Sequence, residues 1–382
     1  MLCGRRKGIR GRTISAVQEK CHTSQNNLLM CGDARTKLAL LPSESVHTII
    51  TSPPYFKLRD YGVKGQIGLE NTAEEYIESL LTVFRDCHRV LRKDGTLWVV
   101  IGDSYDKRKS LIGIPWMLMF ALKKMGFYWR CDAIWNKPNG KPESVKDRPI
   151  RTHEYVLFFS KSRRYYFDEW AIQEPFSENE AGWLKTGAKT TCYGLDGATE
   201  PGSEDKLTST LGPRPNTPGR RKRSVWNVNT EASSLPHYGA YPRRLIEPCV
   251  LASTSEKGCC SECGTPLERI FEDKGIVKHG GKRKLADAPG AKLSENSLFT
   301  TGEIKTKNFV GWRYVCKHIG SSVIPCTVLD PFSGTGTTGE VSMKLFRRYI
   351  GIELNPRDIE ITRLRLQNIY PLFTMNSVEV VA

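Results

Sequence analysis

The stretch Val328-Leu329-Asp330-Pro331-Phe332-Ser333-Gly334-Thr335-Gly336-Thr337-Thr338 constrains the fold more than any other part of the chain. An apolar run from Cys326 to Leu329 predicts a strand that ends in Asp330, a glycine turn follows, and helical pattern resumes from Thr338 to Phe346. Glycines in such a turn let backbone N–H groups and a helix N-terminus approach a ligand closely. No Gly-Lys-Ser/Thr follows, so this is not a Walker-type phosphate loop, and the third glycine is misplaced for a dinucleotide fingerprint. Tyr349 to Ile352 predicts the next strand, which ends at Glu353. An acidic side chain at that tip is placed to hold a ribose diol.

The remainder alternates in the same way. Ser45–Thr51 reads as a short buried strand, stopped by Ser52-Pro53-Pro54-Tyr55 because proline cannot continue a ladder. Thr72 and Glu75 form a capping-box pattern, and Tyr76, Leu80, Phe84, Cys87 and Leu91 follow at helical spacing up to Gly95. Thr96–Ile101 is a continuous apolar run typical of a central parallel strand. Pro115 opens a helix closed near Gly126; Phe127–Trp135 and Tyr155–Ser160 read as strands, and Tyr241–Leu251 as a helix. A last helix starts at Pro356, after Asn355. Trp98, Trp116, Trp129 and Trp135 fall in these elements and are assigned to the core. The pattern predicts a mostly parallel, doubly wound α/β sheet.

The Ser52–Tyr55 tetrapeptide has its own chemistry. Two prolines hold the backbone rigid, so the Pro53 carbonyl and the Ser52 hydroxyl make two fixed acceptors. An exocyclic amino group of a base is a poor nucleophile, because its lone pair is delocalised into the ring. Acceptors around its N–H bonds let the nitrogen pyramidalise as it attacks, and Tyr55 offers a face on which a flipped-out base can stack. Taken alone, Pro-Pro after a strand is also an ordinary rigid turn.

Together these segments resemble the amino-group DNA methyltransferases of bacteria and their viruses. The resemblance rests on TSPPY (51–55), HYGAYPRRLIEP (237–248), DPFSGTGTT (330–338) and GIELN (351–355). The catalytic tetrapeptide precedes the cofactor loop, as in the circularly permuted beta-type order with a recognition region between the two. The resemblance implies a Rossmann-like fold and S-adenosylmethionine as methyl donor. It implies cofactor contacts from Asp330, Pro331, Phe332, Gly334, Thr335 and Gly336, from Glu353 at the ribose, from Asp33 near the adenine, and from His237, Tyr238 and Pro242 at the methionine end. Ser52, Pro53, Pro54 and Tyr55 match the catalytic tetrapeptide, and a first-position serine leans towards N4 of cytosine rather than N6 of adenine. IWNKPN (134–139) and RTHEYVLFFSK (151–161) also match family elements that frame the target base.

The chain carries 57 Lys and Arg against 41 Asp and Glu, a net charge of +16, which points to a polyanionic partner such as double-stranded DNA. Residues 1–25 read as a flexible basic arm, and 176–236, with the knot Arg220, Arg221, Lys222 and Arg223, as a target-recognition insert or a linker. The catalytic half is placed at 26–175, a cofactor-flanking helix at 237–257, and the cofactor-binding half at 326–382. Between these, 258–325 holds Cys260-x-x-Cys263 and Cys316-x-His318, chelating pairs suited to a structural zinc, with Cys259 and Cys326 as substitutes. Reduced, partly buried thiols are the alternative. The same segment carries Lys274, Lys278, Lys282, Arg283 and Lys284, assigned either to DNA or to a solvated loop. No run reaches the roughly 18 apolar residues of a membrane span, and the chain reads as cytoplasmic.

A C5-cytosine enzyme would need a Pro-Cys nucleophile. Pro325-Cys326 sits at the entry of the cofactor strand and Pro248-Cys249 inside a helix, so neither suits attack. The remaining rivals are an N6-adenine enzyme, an RNA or protein-glutamine methyltransferase, and an inactive DNA binder. A cognate restriction endonuclease would be the natural companion of a DNA-modifying enzyme.

Overall fold

The computed structural model describes residues 27–176, 219–231, 241–278, 303–369 and 378–381. The basic arm at 1–25, most of the 176–236 segment, His237, Tyr238, Lys282, Arg283 and Lys284 lie outside them, as do the side chains of Lys274 and Lys278.

The described chain divides into two units, residues 1–172, 223–268 and 314–382, and residues 173–222 and 269–313. The first holds a nine-stranded sheet. Its strands are β1 (Asn27–Cys31), β2 (Val46–Thr51), β3 (Leu91–Ile101), β4 (Tyr128–Asn136), β5 (His153–Ser160), β6 (Val225–Asn227), β11 (Thr327–Asp330), β12 (Arg348–Glu353) and β13 (Val378–Val381). They run in the order β13-β1-β12-β11-β2-β3-β5-β4-β6. The six strands from β13 to β3 are mutually parallel, and β5 reverses the direction.

Among the described residues the longer helices, of eight residues or more, are α1 (Ala73–Val90), α2 (Ile114–Met125), α3 (Arg243–Ser253), α4 (Thr337–Lys344) and α5 (Pro356–Gln367). α1 starts on the full capping box, with the Thr72 side chain accepting from Glu75 N–H and the Glu75 carboxylate from Thr72 N–H. It buries Tyr76, Leu80, Phe84 and Cys87 at 0% exposure in one cluster with Ile49 of β2 and Leu97 of β3. Each such aromatic or aliphatic side chain contributes about 1.5–3 kcal/mol through burial. The opposite face packs Trp98, Trp135 and Trp226 with Leu245, Ile246 and Val250 of α3.

Three sequence expectations shift. α1 ends at Val90 rather than at Gly95, because Leu91 is already extended and pairs with Val46. Gly95 then lies inside β3, where a Cβ would meet the His47 carbonyl oxygen at 2.9 Å. Trp129 is 38% exposed and is not core, since the first residues of β4 are uncovered on the outer part of the sheet. β1, β13 and a two-stranded sheet of β8 (Glu268–Lys278) and β9 (Glu303–Arg313) carry no clear strand signal in the sequence. A second small ladder pairs β7 (Cys259–Cys260) with β10 (Val323–Ile324). Among the described residues no helix is long and apolar enough to cross a membrane.

Candidate active site

The sheet order places the site. β11 runs through α4 into β12 on one side, and β2 runs through α1 into β3 on the other, so the winding reverses between the adjacent strands β11 and β2. Ligands of doubly wound sheets bind outside the carboxyl ends of the strands at such a reversal. The Ser52–Tyr55 tetrapeptide leaves the end of β2 there, and the glycine loop leaves the end of β11.

Asp330 ties the two together. Its carboxylate is fully buried and accepts from Thr51 Oγ1 (2.6 Å), Thr338 Oγ1 (2.8 Å), the Tyr241 hydroxyl (3.0 Å) and Phe332 N–H (3.1 Å). Burial pushes the Asp330 pKa up, against the pull of these four donors. Thr51 immediately precedes Ser52, Phe332 lies in the glycine loop, Thr338 in the first turn of α4, and Tyr241 just before α3. Asp330 is fully buried, and all four of these partners are the protein's own groups. Tyr241 was not singled out from the sequence, although it adjoins Pro242, which caps α3. The Tyr241 and Thr338 hydroxyl oxygens also lie against each other, both turned to the same Asp330 oxygen.

The glycine loop is built for close approach. Gly336 has φ +78°, and a Cβ there would meet Thr362 Cγ2 of α5 at 2.5 Å, so only glycine lets α4 and α5 converge at this turn. Gly334 N–H donates to Glu353 Oε2 at 2.8 Å and Asn355 N–H to Glu353 Oε1 at 2.9 Å, which fixes the carboxylate at the tip of β12. Pro331 and Thr335 are buried, while Phe332 and Gly334 are half-buried at the rim. Asp33 follows β1, the neighbour of β12. Its carboxylate accepts from Arg35 N–H and Nε (both 2.9 Å), and Arg35 also reaches the Gly65 carbonyl at 3.0 Å. Burial works against ionisation of Asp33, yet the hydrogen bonds and charge of Arg35 hold its pKa below the usual value.

The tetrapeptide is held from three sides. The Tyr76 hydroxyl of α1 donates to the Pro54 carbonyl at 2.7 Å. The Tyr55 ring passes over Gly102 at the end of β3, where a Cβ would lie 2.8 Å from Tyr55 Cε2. The Tyr55 hydroxyl donates to Glu154 Oε2 at 2.7 Å, and Glu154 Oε1 pairs with Lys137 Nζ. Burial and then the Glu154 carboxylate push the Tyr55 pKa well up, partly offset by a hydrogen bond with Ser52, so the phenol keeps its proton. Among the described residues no donor reaches the Pro53 carbonyl oxygen. Glu154 and Lys137 lie within segments the sequence marked as framing the base, but neither was named individually.

Away from this centre, Cys260, Cys263, Cys316 and His318 bring their ligand atoms within 4.8 Å of one another. Four tetrahedral ligands at Zn–S distances of about 2.3 Å would be spaced this closely. His318 Nδ1 is buried with no hydrogen-bond partner among the described residues, the state of a nitrogen with a bond to fill. Burial opposes ionisation of the Cys263 thiol, but hydrogen bonds from Thr265, His318 and Cys316 draw its pKa down to about 6. The donor set fits a structural zinc. His47, Cys259 and Cys326 also lie close together. There, however, both His47 nitrogens are engaged, Nδ1 accepting from Thr327 N–H (2.9 Å) and Nε2 bonding the Gly264 carbonyl (2.8 Å). Pro248-Cys249 sits inside α3 with Cys249 fully buried, no position for a nucleophile.

In the second unit Arg220 and Lys222 both pair with Glu174, at 3.5 and 3.3 Å, so part of the basic knot is neutralised locally. The Arg223 carbonyl accepts from Trp226 Nε1. On the β8–β9 pair, the Arg269 guanidinium lies over the Trp312 ring at 4.5 Å.

Comparison with known proteins decides the family. A DNA methylase family model (N6_N4_Mtase) matches residues 46–261 and 318–363, more than half of the chain. This chain belongs to that family. The methylase is 34% identical to the type II methyltransferase M.Cfr9I of Citrobacter freundii, over 91% of this chain and 92% of that one. It is 33% identical to M.SmaI of Serratia marcescens, over 90% and 92%. Among solved structures, the PvuII DNA methyltransferase (cytosine-N4-specific) aligns with 94% of the methylase and 96% of its own chain, at TM-score 0.52 and 15% identity. A DNA modification methylase of Thermus thermophilus, TTHA0409, complexed with S-adenosyl-L-methionine, covers 93% and 100% at TM-score 0.50 and 21% identity. These two likenesses establish the Rossmann-like α/β methyltransferase fold. Residues 262–317, which include Cys263, Cys316 and the β8–β9 pair, fall outside the methylase family match.

Proposed function

We propose that this methylase transfers a methyl group from S-adenosylmethionine to the exocyclic N4 amino group of cytosine in double-stranded DNA, with the base flipped out of the duplex. The observation that carries the reading is the placement of Ser52–Tyr55 and the glycine loop on adjacent strand ends, joined through Thr51 and Asp330. S-adenosylmethionine supplies an electrophilic methyl group on a sulfonium; a neutral nitrogen that takes it displaces the neutral thioether S-adenosylhomocysteine and gives up one N–H proton to solvent, without any covalent enzyme intermediate. Gly334, Gly336 and the neighbouring backbone would hold the cofactor, Glu353 its ribose hydroxyls, and Asp33 its adenine side. Ser52 Oγ and the Pro53 carbonyl accept from the amino N–H bonds and turn the nitrogen lone pair out of the ring plane. Tyr55 gives the base a flat surface on which to stack.

Serine at the first tetrapeptide position favours cytosine over adenine. The PvuII enzyme, which is cytosine-N4-specific and has the same fold, supports that choice. The type II names of the relatives support a place beside a restriction endonuclease. Residues 176–236 serve target recognition in this reading, with Arg220 to Arg223 near DNA. Residues 258–325 form a zinc insert held by Cys260, Cys263, Cys316 and His318.

Mass spectrometry of nucleosides from a methylation-free bacterial host expressing the chain tests the reaction. N4-methylcytosine is the expected product. N6-methyladenine would overturn the base assignment alone, and no modified base from soluble protein would overturn the reaction. Purified protein is expected to carry about one zinc per chain. Chelation should free Cys260, Cys263 and Cys316 to thiol reagents while the nine-stranded sheet, whose core lies elsewhere, stays folded. Metal-free protein with the same thiol reactivity would remove the zinc assignment.

A further inference from the structure

Glu154 occupies an unusual position for a carboxylate. It projects from the second residue of β5, opposite Trp135 of β4, and both its oxygens are engaged. One accepts the Tyr55 phenol at 2.7 Å; the other pairs with Lys137. Lys137 is held in turn, its ammonium 4.2 Å from the Trp135 ring centroid, and its side chain and that of Glu154 are each only 20% exposed. Gly102 lies beneath: a Cβ there would touch Tyr55 Cε2 at 2.8 Å and Glu154 Cγ at 3.4 Å. The phenol end of Tyr55 is therefore gripped by Glu154 of β5, itself anchored by Lys137 just after β4, although Tyr55 belongs to the turn after β2.

We infer that Glu154, anchored by Lys137, is a positioning residue for the target base. It fixes the Tyr55 ring in the geometry the base must meet. The inference rests on the assignment of Ser52 and Tyr55 to the target base. A side chain in a turn after a strand is free to pivot about χ1. A charge-assisted bond at its far end removes that freedom before substrate arrives. A lysine-paired carboxylate suits this task, since one oxygen accepts from the phenol while the other is held by Lys137. The pair touches neither the glycine loop nor Glu353 in the described hydrogen bonds, so it acts on the base side of the site and not on cofactor binding.

The test uses full-length protein, labelled S-adenosylmethionine and DNA from a methylation-free host. Glu154→Ala should lower kcat about tenfold to a hundredfold, the scale of a small misplacement of reacting groups. S-adenosylmethionine affinity, read by calorimetry, should stay within about twofold. Glu154→Gln, which still offers an oxygen to the phenol, should recover most of the rate. In a Tyr55→Phe background, Glu154→Ala should add less than about a further twofold, because the contact it serves is already gone. Multiplying losses in the double variant, equal loss of cofactor affinity, or no rescue by Gln would each overturn the positioning role. Those results would leave the methylation reaction standing if the unaltered chain still modifies DNA. An unaltered chain that modifies no DNA would instead overturn the reaction and this inference together.

Discussion

Asp330→Ala is expected to cost about 3–5 kcal/mol of stability and to abolish cofactor binding along with methyl transfer. The argument is one of unsatisfied donors. Thr51, Thr338, Tyr241 and the Phe332 N–H all point at one carboxylate in a fully buried position. A buried donor left without a partner costs about 1–3 kcal/mol. The two threonine hydroxyls can rotate to backbone acceptors; Thr338 already lies 3.5 Å from the Ile50 carbonyl. The Phe332 N–H cannot rotate, and the Tyr241 phenol can turn only as far as Thr338. The loss therefore falls on the glycine loop and on the link to β2. Asp330→Asn keeps one acceptor oxygen and should cost about 1–2 kcal/mol, because Thr338 and Tyr241 can reorient to accept from the amide. Thermal unfolding together with calorimetry of S-adenosylmethionine binding checks both variants. An alanine variant within about 1 kcal/mol of the unaltered protein would show that the four donors find other partners, and the hub role would fall.

Ser52→Ala is expected to reduce kcat about a hundredfold to a thousandfold, the range seen when one preorganised hydrogen-bonding partner of a developing charge is removed. Cofactor affinity should hold, since Ser52 lies on the β2 side of the Thr51–Asp330 link and makes no contact with the glycine loop in the described hydrogen bonds. Stability should change little, because the rigidity of the turn comes from the two prolines, the Tyr76–Pro54 bond and the Glu154–Tyr55 bond. Single-turnover methyl transfer to DNA from a methylation-free host separates the chemical step from product release. If S-adenosylmethionine affinity and turnover fell by the same factor, Ser52 would be a structural or cofactor residue, and the orienting role would be withdrawn.

Much of this is legible in the sequence. The capping box at Thr72 and Glu75, the proline stop after Thr51, Gly126 closing α2 and Asn355 capping α5 all encode their elements through short-range geometry. The convergence of Cys260, Cys263, Cys316 and His318 was likewise readable, because each pair is closely spaced in the sequence. Legibility failed where the signal is not local. The exposure of Trp129 depends on what covers β4, and β1 and β13 are short strands whose pairing partners lie far along the chain. β8 lacks the apolar alternation of a half-buried strand.

The sequence by itself determined the alternating α/β order, the family and the two loops of the proposed site, because backbone stops, glycine turns and apolar runs are written in adjacent residues. The tertiary structure alone decided how those loops meet. Parallel pairing of β2 with β11 brings Thr51 within hydrogen-bonding distance of Asp330, 279 residues away, and turns that carboxylate inward to the protein. The same folding selected Tyr241, Lys137 and Glu154 from many tyrosines, lysines and glutamates, since a side chain's partner across a sheet depends on register and burial, which no local pattern specifies.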